Sequence, residues 1–508
     1  ESAVTVRKML NRFYDFAGLL ANNSKSCVFL SGVEDVLSHS ICLAIQFPPG
    51  KLPIRYLGVP LISTKLTKRY YAELTKKINN RIQSWNSKFL SYAGRAQLIQ
   101  TILYGIQNYW ASMFVLPKGV LKAIDKLLRN FLWTGGTDNS YGSKVAWENV
   151  CQDKKKRGLG FKNTVNLNNV LALKHIWSLF QPSAQSLWVQ WVHTYRLKGK
   201  SFWVVKPPST CSWAWRKLLR LRGLARQMLS HRVGNGEHTF LWYNKWHPLG
   251  PLVEKFGTRV IYDSTLPMDS RVSTVILNNS WAWPVRPSRI ANSGALMAIR
   301  DGLTQIPIHG SSQDRVIWDP SPNGIFSTAA TWKSLYDDPN TVHWYKLVWF
   351  QGPRHSILMW LAILNRLSTQ DRIQSYTAGP LACTLCFQNL EDHNHLFFNC
   401  TYSNFIWQDM LRRMNIQTSA NTWEGIISWA ASIWKKKTPS HTIPRLALGA
   451  AVYLIWRERN ARTFRAEFKT KEKVLTELCS HMRAHVAVRW KHDRKIHEYI
   501  TVWDYCST

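Results

Sequence analysis

Carboxylates are scarce in this 508-residue chain: 30 Asp plus Glu stand against 66 Lys plus Arg, a net charge of +36. That deficit leaves little to hold a cationic partner and favours a polyanionic one, nucleic acid first and an anionic membrane surface second. Long apolar runs are missing as well. The best, 446–456, has the length of a buried helix and falls short of the roughly 18 residues a membrane span needs, so no membrane partner is expected. The N-terminus, Glu1-Ser2-Ala3-Val4-Thr5-Val6-Arg7-Lys8, shows no initiator methionine, signal peptide or recognisable transit sequence, so the chain reads as intracellular and as the remainder of something longer. Cysteine is limited to nine residues, an odd count and mostly scattered, which suits a reducing compartment better than a disulfide framework. Hydrophobic residues are not lacking. At 45% of the chain, with 26 tryptophans, they allow sizeable cores and exclude compositional disorder.

Three of the cysteines are not scattered. Cys383, Cys386 and Cys400, with a histidine between the last two, form a C-x2-C-x8-H-x4-C array, which supplies three thiolates and one imidazole for a closed tetrahedral zinc site. Four protein ligands leave no position for a catalytic water, so the expected role is structural. The plain alternative is three buried reduced cysteines and a surface histidine. His393 rivals His395 as fourth ligand, and the apolar Leu396, Phe397 and Phe398 favour His395 because a packed turn there would fix its ring. On one continuous helix His395 and Cys400 would sit about 140° apart. If both bind one ion, the helix must therefore end near Asn399 or Cys400, and the polar Thr401-Tyr402-Ser403-Asn404 agrees with a break and a new start.

Periodicity makes most of the chain helical. Met9, Phe13, Phe16 and Leu20 recur at helical spacing, as do Ile78, Ile82, Trp85 and Phe89, and then Leu98 or Ile99, Ile102 or Leu103, Ile106, Trp110 and Met113. Pro117 opens a further helix with Leu121, Ile124, Leu127, Leu128 and Phe131. Strand candidates are Cys27-Val28-Phe29-Leu30 and a stretch around Tyr56, where Gly58 and Pro60 argue for an edge or tight turn. Stretch 213–222 reads as a basic amphipathic helix. Gly234-Asn235-Gly236 before 239–242 reads as a hairpin turn entering a strand. The dense tryptophans of 166–317 are expected mainly as core, since large rings dominate buried packing, with base stacking as the alternative. The expected class is α+β, predominantly α-helical and multi-domain.

Several stretches resemble, in family order, the reverse transcriptases of plant long interspersed (LINE-type, non-LTR) retrotransposons. Phe16-Ala17-Gly18-Leu19, Asn22-x-x-Lys25-Ser26 and Tyr56-Leu57-Gly58-Val59-Pro60-Leu61 look like the segment just after the catalytic hairpin, with Ala17 in place of the usual serine. Trp85-Asn86, Leu90-Ser91-Tyr92-Ala93-Gly94-Arg95 and Lys144-Val145-Ala146-Trp147 follow, then Lys154-Lys155-Lys156-Arg157-Gly158, more basic than the family pattern. Trp242-Tyr243-Asn244-Lys245-Trp246 carries Asn244 where the family has an acid. From Trp318 onward, Asn323-Gly324-Ile325-Phe326-Ser327, Trp344, Trp349, Met359-Trp360, Arg366-Leu367-Ser368-Thr369 and Phe405-Ile406-Trp407 surround the cysteines in the manner of the reverse transcriptase zinc-binding domain. Trp456-Arg457-Glu458-Arg459-Asn460-Ala461-Arg462-Thr463-Phe464 matches the usual end of these proteins.

The resemblance implies a palm remnant at 1–62, a thumb-like helical domain at 63–165, a tryptophan-rich linking region at 166–317, the zinc-binding domain at 318–415 and a basic helical region at 416–508. It puts the palm aspartates, which hold two Mg2+ ions in the parent RNA-directed DNA polymerase, before Glu1. No Mg2+ is expected on this chain, and it is expected to be inactive alone. Tyr336-Asp337-Asp338 is no substitute: it lacks the intervening residue and runs into Pro339-Asn340, the pattern of a helix end and turn. No carboxylate quartet of a ribonuclease H site is recognised. The expected ligands of structural Zn2+ are Cys383, Cys386, His395 and Cys400. Lys25, Lys154, Lys155, Lys156, Arg157, Arg354, His355, Arg366 and Arg372 are the expected phosphate contacts. Expected partners are RNA and DNA as a template–primer duplex together with the missing N-terminal polymerase and endonuclease part, and the expected location is nuclear, with assembly in the cytoplasm. The rival from another class is a non-catalytic zinc-stapled scaffold from a dead element that binds a partner protein.

Overall fold

A computed structural model describes residues 1–62, 67–85, 90–137, 142–181, 186–283, 294–308, 312–337, 340–350, 355–373 and 382–504. Predominantly helical α+β is the class observed, with short two-stranded sheets. The chain divides into two compact units, Glu1–Leu74 and Thr75–Thr508.

In the first unit, helix Ser2–Ala17 ends where Gly18 turns left-handed, and helix Asp35–Ile45 ends the same way at Gln46. Neither helix buries a residue, and Met9, Phe13 and Phe16 lie exposed. Strands Ile54–Tyr56 and Val59–Leu61 pair antiparallel, with Tyr56 opposite Val59. The two connecting residues, Leu57 and Gly58, both have positive φ, the backbone that matches strand twist in a two-residue hairpin. The strand expected at 27–30 reduces to a single bridge between Val28 and Pro49.

The second unit begins with packed helices. Helix Lys68–Gln83, which crosses the division, brings Ile78 and Ile82 into the core but stops before Trp85, whose ring packs on Phe131 at 5.4 Å. Phe89, the last residue of that expected stripe, lies outside the described residues. Ser91 caps helix Tyr92–Leu98 by accepting from the Gly94 amide. A wide π-helical turn, Ile99–Leu103, joins it to helix Tyr104–Met113. That turn selects Ile99 and Leu103 from the ambiguous sequence pairs for burial and leaves Met113 exposed. Helix Lys118–Thr134 follows Pro117 and buries Leu121, Ile124, Leu128 and Phe131, each such side chain contributing about 1.5–3 kcal/mol. Phe161 closes this core edge-on to Tyr104 and Trp147.

Most tryptophans of the middle region are core. Trp177, Trp203, Trp215, Trp242, Trp246 and Trp283 are buried together, joined by Trp318 from the region that follows. Three indole N–H groups are satisfied internally, Trp242 donating to the Pro267 carbonyl, Trp246 to that of Leu241 and Trp318 to the Thr331 hydroxyl, while those of Trp203, Trp215 and Trp283 are buried without a hydrogen-bond partner among the described residues. Helix Trp213–Arg220 presents Trp215, Leu218 and Leu219 inward. The strand expected at 239–242 is not formed there. The sheet pairs Leu229–Arg232 with Arg315–Trp318 instead, and Phe240 keeps only one bridge, to Arg271. The glycine loop before it wraps the Asp314 carboxylate, which accepts from the amides of Gly234, Gly236 and His238 and from the Thr239 hydroxyl. Gly236 has positive φ, and a Cβ there would lie 2.5 Å from the Ser273 nitrogen.

The C-terminal helices are Thr401–Arg413, Trp423–Ile433, Pro439–Arg465, Lys471–Arg489 and Ile496–Thr501. Pro439–Arg465 is far longer than its apolar stretch 446–456. It runs through Pro444 and gives up one backbone hydrogen bond there.

Candidate metal centre and nucleic-acid interface

Cys383 and Cys386 lie on a tight knuckle. Ala382 bridges Leu390, the Cys383 amide donates to the Asn389 carbonyl at 2.7 Å, and the Phe387 amide returns to the Cys383 carbonyl at 2.8 Å, with Phe387 left-handed. Asp392 caps the next turn by accepting from the His395 amide at 2.7 Å. That turn, His395–Asn399, ends at Cys400, which is extended, and helix Thr401–Arg413 starts immediately after. The break required for His395 and Cys400 to face one point is therefore present.

The four donor atoms of Cys383, Cys386, His395 and Cys400 lie within 4.8 Å of one another. Cys383 Sγ is 3.9 Å from Cys400 Sγ, and Cys386 Sγ is 3.2 Å from His395 Nε2. Tetrahedral zinc with Zn–S near 2.3 Å requires S–S edges of about 3.8 Å and S–N edges of about 3.6 Å, so the donor set and its spacing fit Zn2+. When bound, the ion supplies a tetrahedral cross-link between knuckle and helix. The hydrogen bond between Cys383 and Cys400, then burial, pushes the Cys383 thiol well above the usual thiol range. Cys400 is lowered, chiefly as the acceptor of that bond. The other histidine is placed elsewhere: His393 is buried, its ring 5.4 Å from both Phe397 and Trp423, and burial lowers its pKa to about 4.

The support for this loop comes from a distant helix. Arg459 and Glu391 form a fully buried pair, with Nη2 2.6 Å from Oε1, and Glu391 also accepts from the Gln370 amide. Arg462 donates to the Leu385 carbonyl at 3.0 Å inside the knuckle, to the Lys469 carbonyl at 2.8 Å and to Glu458 at 2.8 Å. Glu458, Arg459 and Arg462 belong to the matching run 456–464. From charge alone Arg459 and Arg462 look like part of a solvent-facing basic stretch, and only the adjacent Glu458 hints otherwise.

Residues 326–407 match the family described as zinc-binding in reverse transcriptase, a span that holds all four ligands. The segment resembles the zinc-binding domain of reverse transcriptases. The chain is also 24% identical over 438 residues to the Arabidopsis thaliana protein named "Putative ribonuclease H protein At1g65750", covering 82% of this chain and 68% of that relative. A second Arabidopsis thaliana relative, "Uncharacterized mitochondrial protein AtMg00310", is 28% identical over 150 residues, or 28% of this chain and 96% of its own length. Together the matches agree with the C-terminal part of a retrotransposon reverse transcriptase.

The expected phosphate contacts are dispersed. Lys25 is exposed on the turn closed by Asn22 in the first unit. Lys154–Lys156 is a short 3-10 turn capped by Asp153, with Lys154 and Lys155 exposed and Lys156 partly so. It docks on the zinc-binding segment, the Lys155 carbonyl accepting from the Val342 amide and Arg157's from the Trp360 indole. Gly158 is required there, because a Cβ would come 1.9 Å from the Gln152 carbonyl oxygen. Arg366 and Arg372 are exposed; Arg372 donates to the Asn365 carbonyl. Lys144, missed in the sequence, donates to Ser368 at 3.0 Å, and burial and then Arg372 lower its pKa. His355 is placed in the interior, stacked on Tyr453 at 4.0 Å, so its burial counts against a phosphate contact. Arg354 lies outside the described residues, as do Asp338 and Pro339, while Asp337 ends helix Thr328–Tyr336.

Proposed function

We propose that this chain is the nucleic-acid-binding C-terminal portion of a LINE-type, non-LTR retrotransposon reverse transcriptase, holding RNA or an RNA–DNA hybrid. The observation that carries the reading is the Cys3His array inside a span matching a reverse transcriptase zinc-binding family. The cationic excess supports it, because each neutralised phosphate releases counterions. Cys383, Cys386, His395 and Cys400 hold a structural zinc that fixes the loop, and exposed cations such as Lys154, Lys155, Arg366 and Arg372 meet the phosphate backbone with little base specificity. Polymerisation, with its Mg2+ ions, belongs in this reading to the parent protein and its N-terminal part, acting in the nucleus after assembly in the cytoplasm.

The test is a salt titration of the purified chain binding a structured RNA, with zinc quantified in the same sample. A log–log slope of several units with one zinc per chain is expected. Absence of binding at low salt despite bound zinc would overturn the reading in favour of a scaffold for a partner protein.

A further inference from the structure

Seven cations from separate parts of the chain converge on one groove of about 1150 Å³. Lys154 comes from the 3-10 turn, Lys346 from helix Tyr345–Val348, and Lys435, Lys436 and Lys437 from the loop before the long helix. Arg445 and Arg489 complete the set. Among the described residues no carboxylate lines the groove and none forms an ion pair with any of the seven cations. Such a site repels itself until an anion enters.

Arg445 makes the point sharply. It is buried, yet among the described residues its guanidinium hydrogen-bonds to neutral groups, the carbonyls of His441, Lys346 and Lys436 and the Thr442 hydroxyl. These bonds tie the Lys346 wall to the Lys436 wall, so the groove is a built feature and not a chance of surface charge. Burial and then Arg489 lower the Arg445 pKa, which marks the same local excess of positive charge.

The lining is also aromatic. Lys154 Nζ sits 4.8 Å over the Trp349 ring, and the Arg445 guanidinium 4.9 Å from the Phe350 ring. Cations beside half-buried rings are the combination that binds a single strand, phosphates along the charges and a base on the ring; a duplex keeps its base faces stacked inside. We propose that this groove seats a single-stranded segment of nucleic acid, with phosphates along Lys435, Lys436, Lys437 and Lys346 and one base on Trp349. The base takes the place of Lys154 over the ring, and the lysine turns to a phosphate. The proposal rests on the nucleic-acid reading above and deepens it by naming the strand and the site.

The experiment uses the full zinc-loaded chain and a labelled oligouridylate of about 12 nucleotides, with a duplex RNA of equal length and heparin as comparisons. Replacing the three exposed lysines together (K435Q, K436Q, K437Q) should reduce the log–log salt slope by about 2, at about 0.7 per phosphate on a single strand. Trp349→Ala should weaken oligouridylate binding at least about fivefold and leave heparin binding unchanged, while Trp349→Phe stays within about twofold of the parent. Unchanged zinc content certifies the fold of each variant, and the lysine variant, altered only on the surface, keeps the test intact if Trp349→Ala misfolds. Parent-like oligouridylate binding by both variants would overturn the groove while leaving the general reading standing. Tighter binding of the duplex, or a loss of heparin binding in Trp349→Ala equal to its loss of oligouridylate binding, would overturn the single-strand assignment. A parent chain that binds no nucleic acid at low salt would overturn both.

Discussion

Cys386 is a half-exposed member of the four ligands, its sulfur 3.2 Å from His395 Nε2. Cys386→Ser should therefore reduce bound zinc from one per chain to near zero, since three remaining donors do not close a tetrahedron. Hydrogen exchange should quicken across 382–413 and stay unchanged in helix Lys118–Thr134, whose core does not involve the site. The two histidines separate in the same assay. His395→Gln should lose the metal, whereas His393→Gln should keep it and only loosen the packing of Phe397 and Trp423; zinc analysis of the two variants checks this. His231 offers a test by pH. It is buried against Asn244, 2.5 Å from Nε2 to Nδ2, and burial lowers its pKa to about 3. Between about pH 6.5 and 3 the unfolded chain takes up a proton that the folded chain refuses, so His231 makes stability fall as pH falls, by about 1.4 kcal/mol per unit. Denaturant midpoints across that window should show the slope in the parent and a shallower one in His231→Gln.

At the scale of elements, helix Pro439–Arg465 carries the energetics of the zinc loop. Arg459→Met leaves Glu391 charged and buried without its partner, which should cost about 3–5 kcal/mol, while the double change Glu391→Leu with Arg459→Met should recover most of that loss. Thermal melts of the single and double variants, with zinc release to a chelator, measure the cycle. This pair also marks where the sequence stopped being legible. Cys383, Cys386 and Cys400 announce themselves because ligand spacing is local, and so does the helix break at Cys400, because helical geometry forbids the alternative. Arg459 does not, because its partner lies 68 residues away and a charge pattern on one helix carries no record of it. The glycine loop at 234–236 was legible as a turn, but not as a cradle for Asp314, nor as following rather than preceding its strand, since the pairing with Arg315–Trp318 is non-local. Helix ends shifted for the same reason. Packing carries Pro439–Arg465 past Pro444, and Lys68–Gln83 ends before Trp85, whose ring packs on Phe131 off the helix. The groove was invisible because its lysines come from three separate segments.

For the whole molecule the decisive quantity is charge that cannot be neutralised from within. Even if each of the 30 carboxylates paired with one of the 66 cations, 36 would remain. Several carboxylates are in fact committed to buried or half-buried pairs, Glu391 with Arg459, Glu458 with Arg462 and Asp409 with Arg413, so the surface carries most of the excess. Repulsion among those cations opposes folding and is screened by salt, with a Debye length of about 10 Å at 0.1 M and about 3 Å at 1 M. The same salt competes with phosphates for the cations. Two opposite responses follow from one surface. Without nucleic acid, the unfolding midpoint should rise as NaCl goes from about 0.05 to about 0.5 M. With RNA at a hundred times its dissociation constant in low salt, binding should add about 2.7 kcal/mol, and that gain should vanish at the upper salt concentration. Differential scanning fluorimetry of the zinc-loaded chain, with and without RNA across the series, reads both curves. They should converge at high salt, and parallel curves would mean that the RNA is held by something other than this charge.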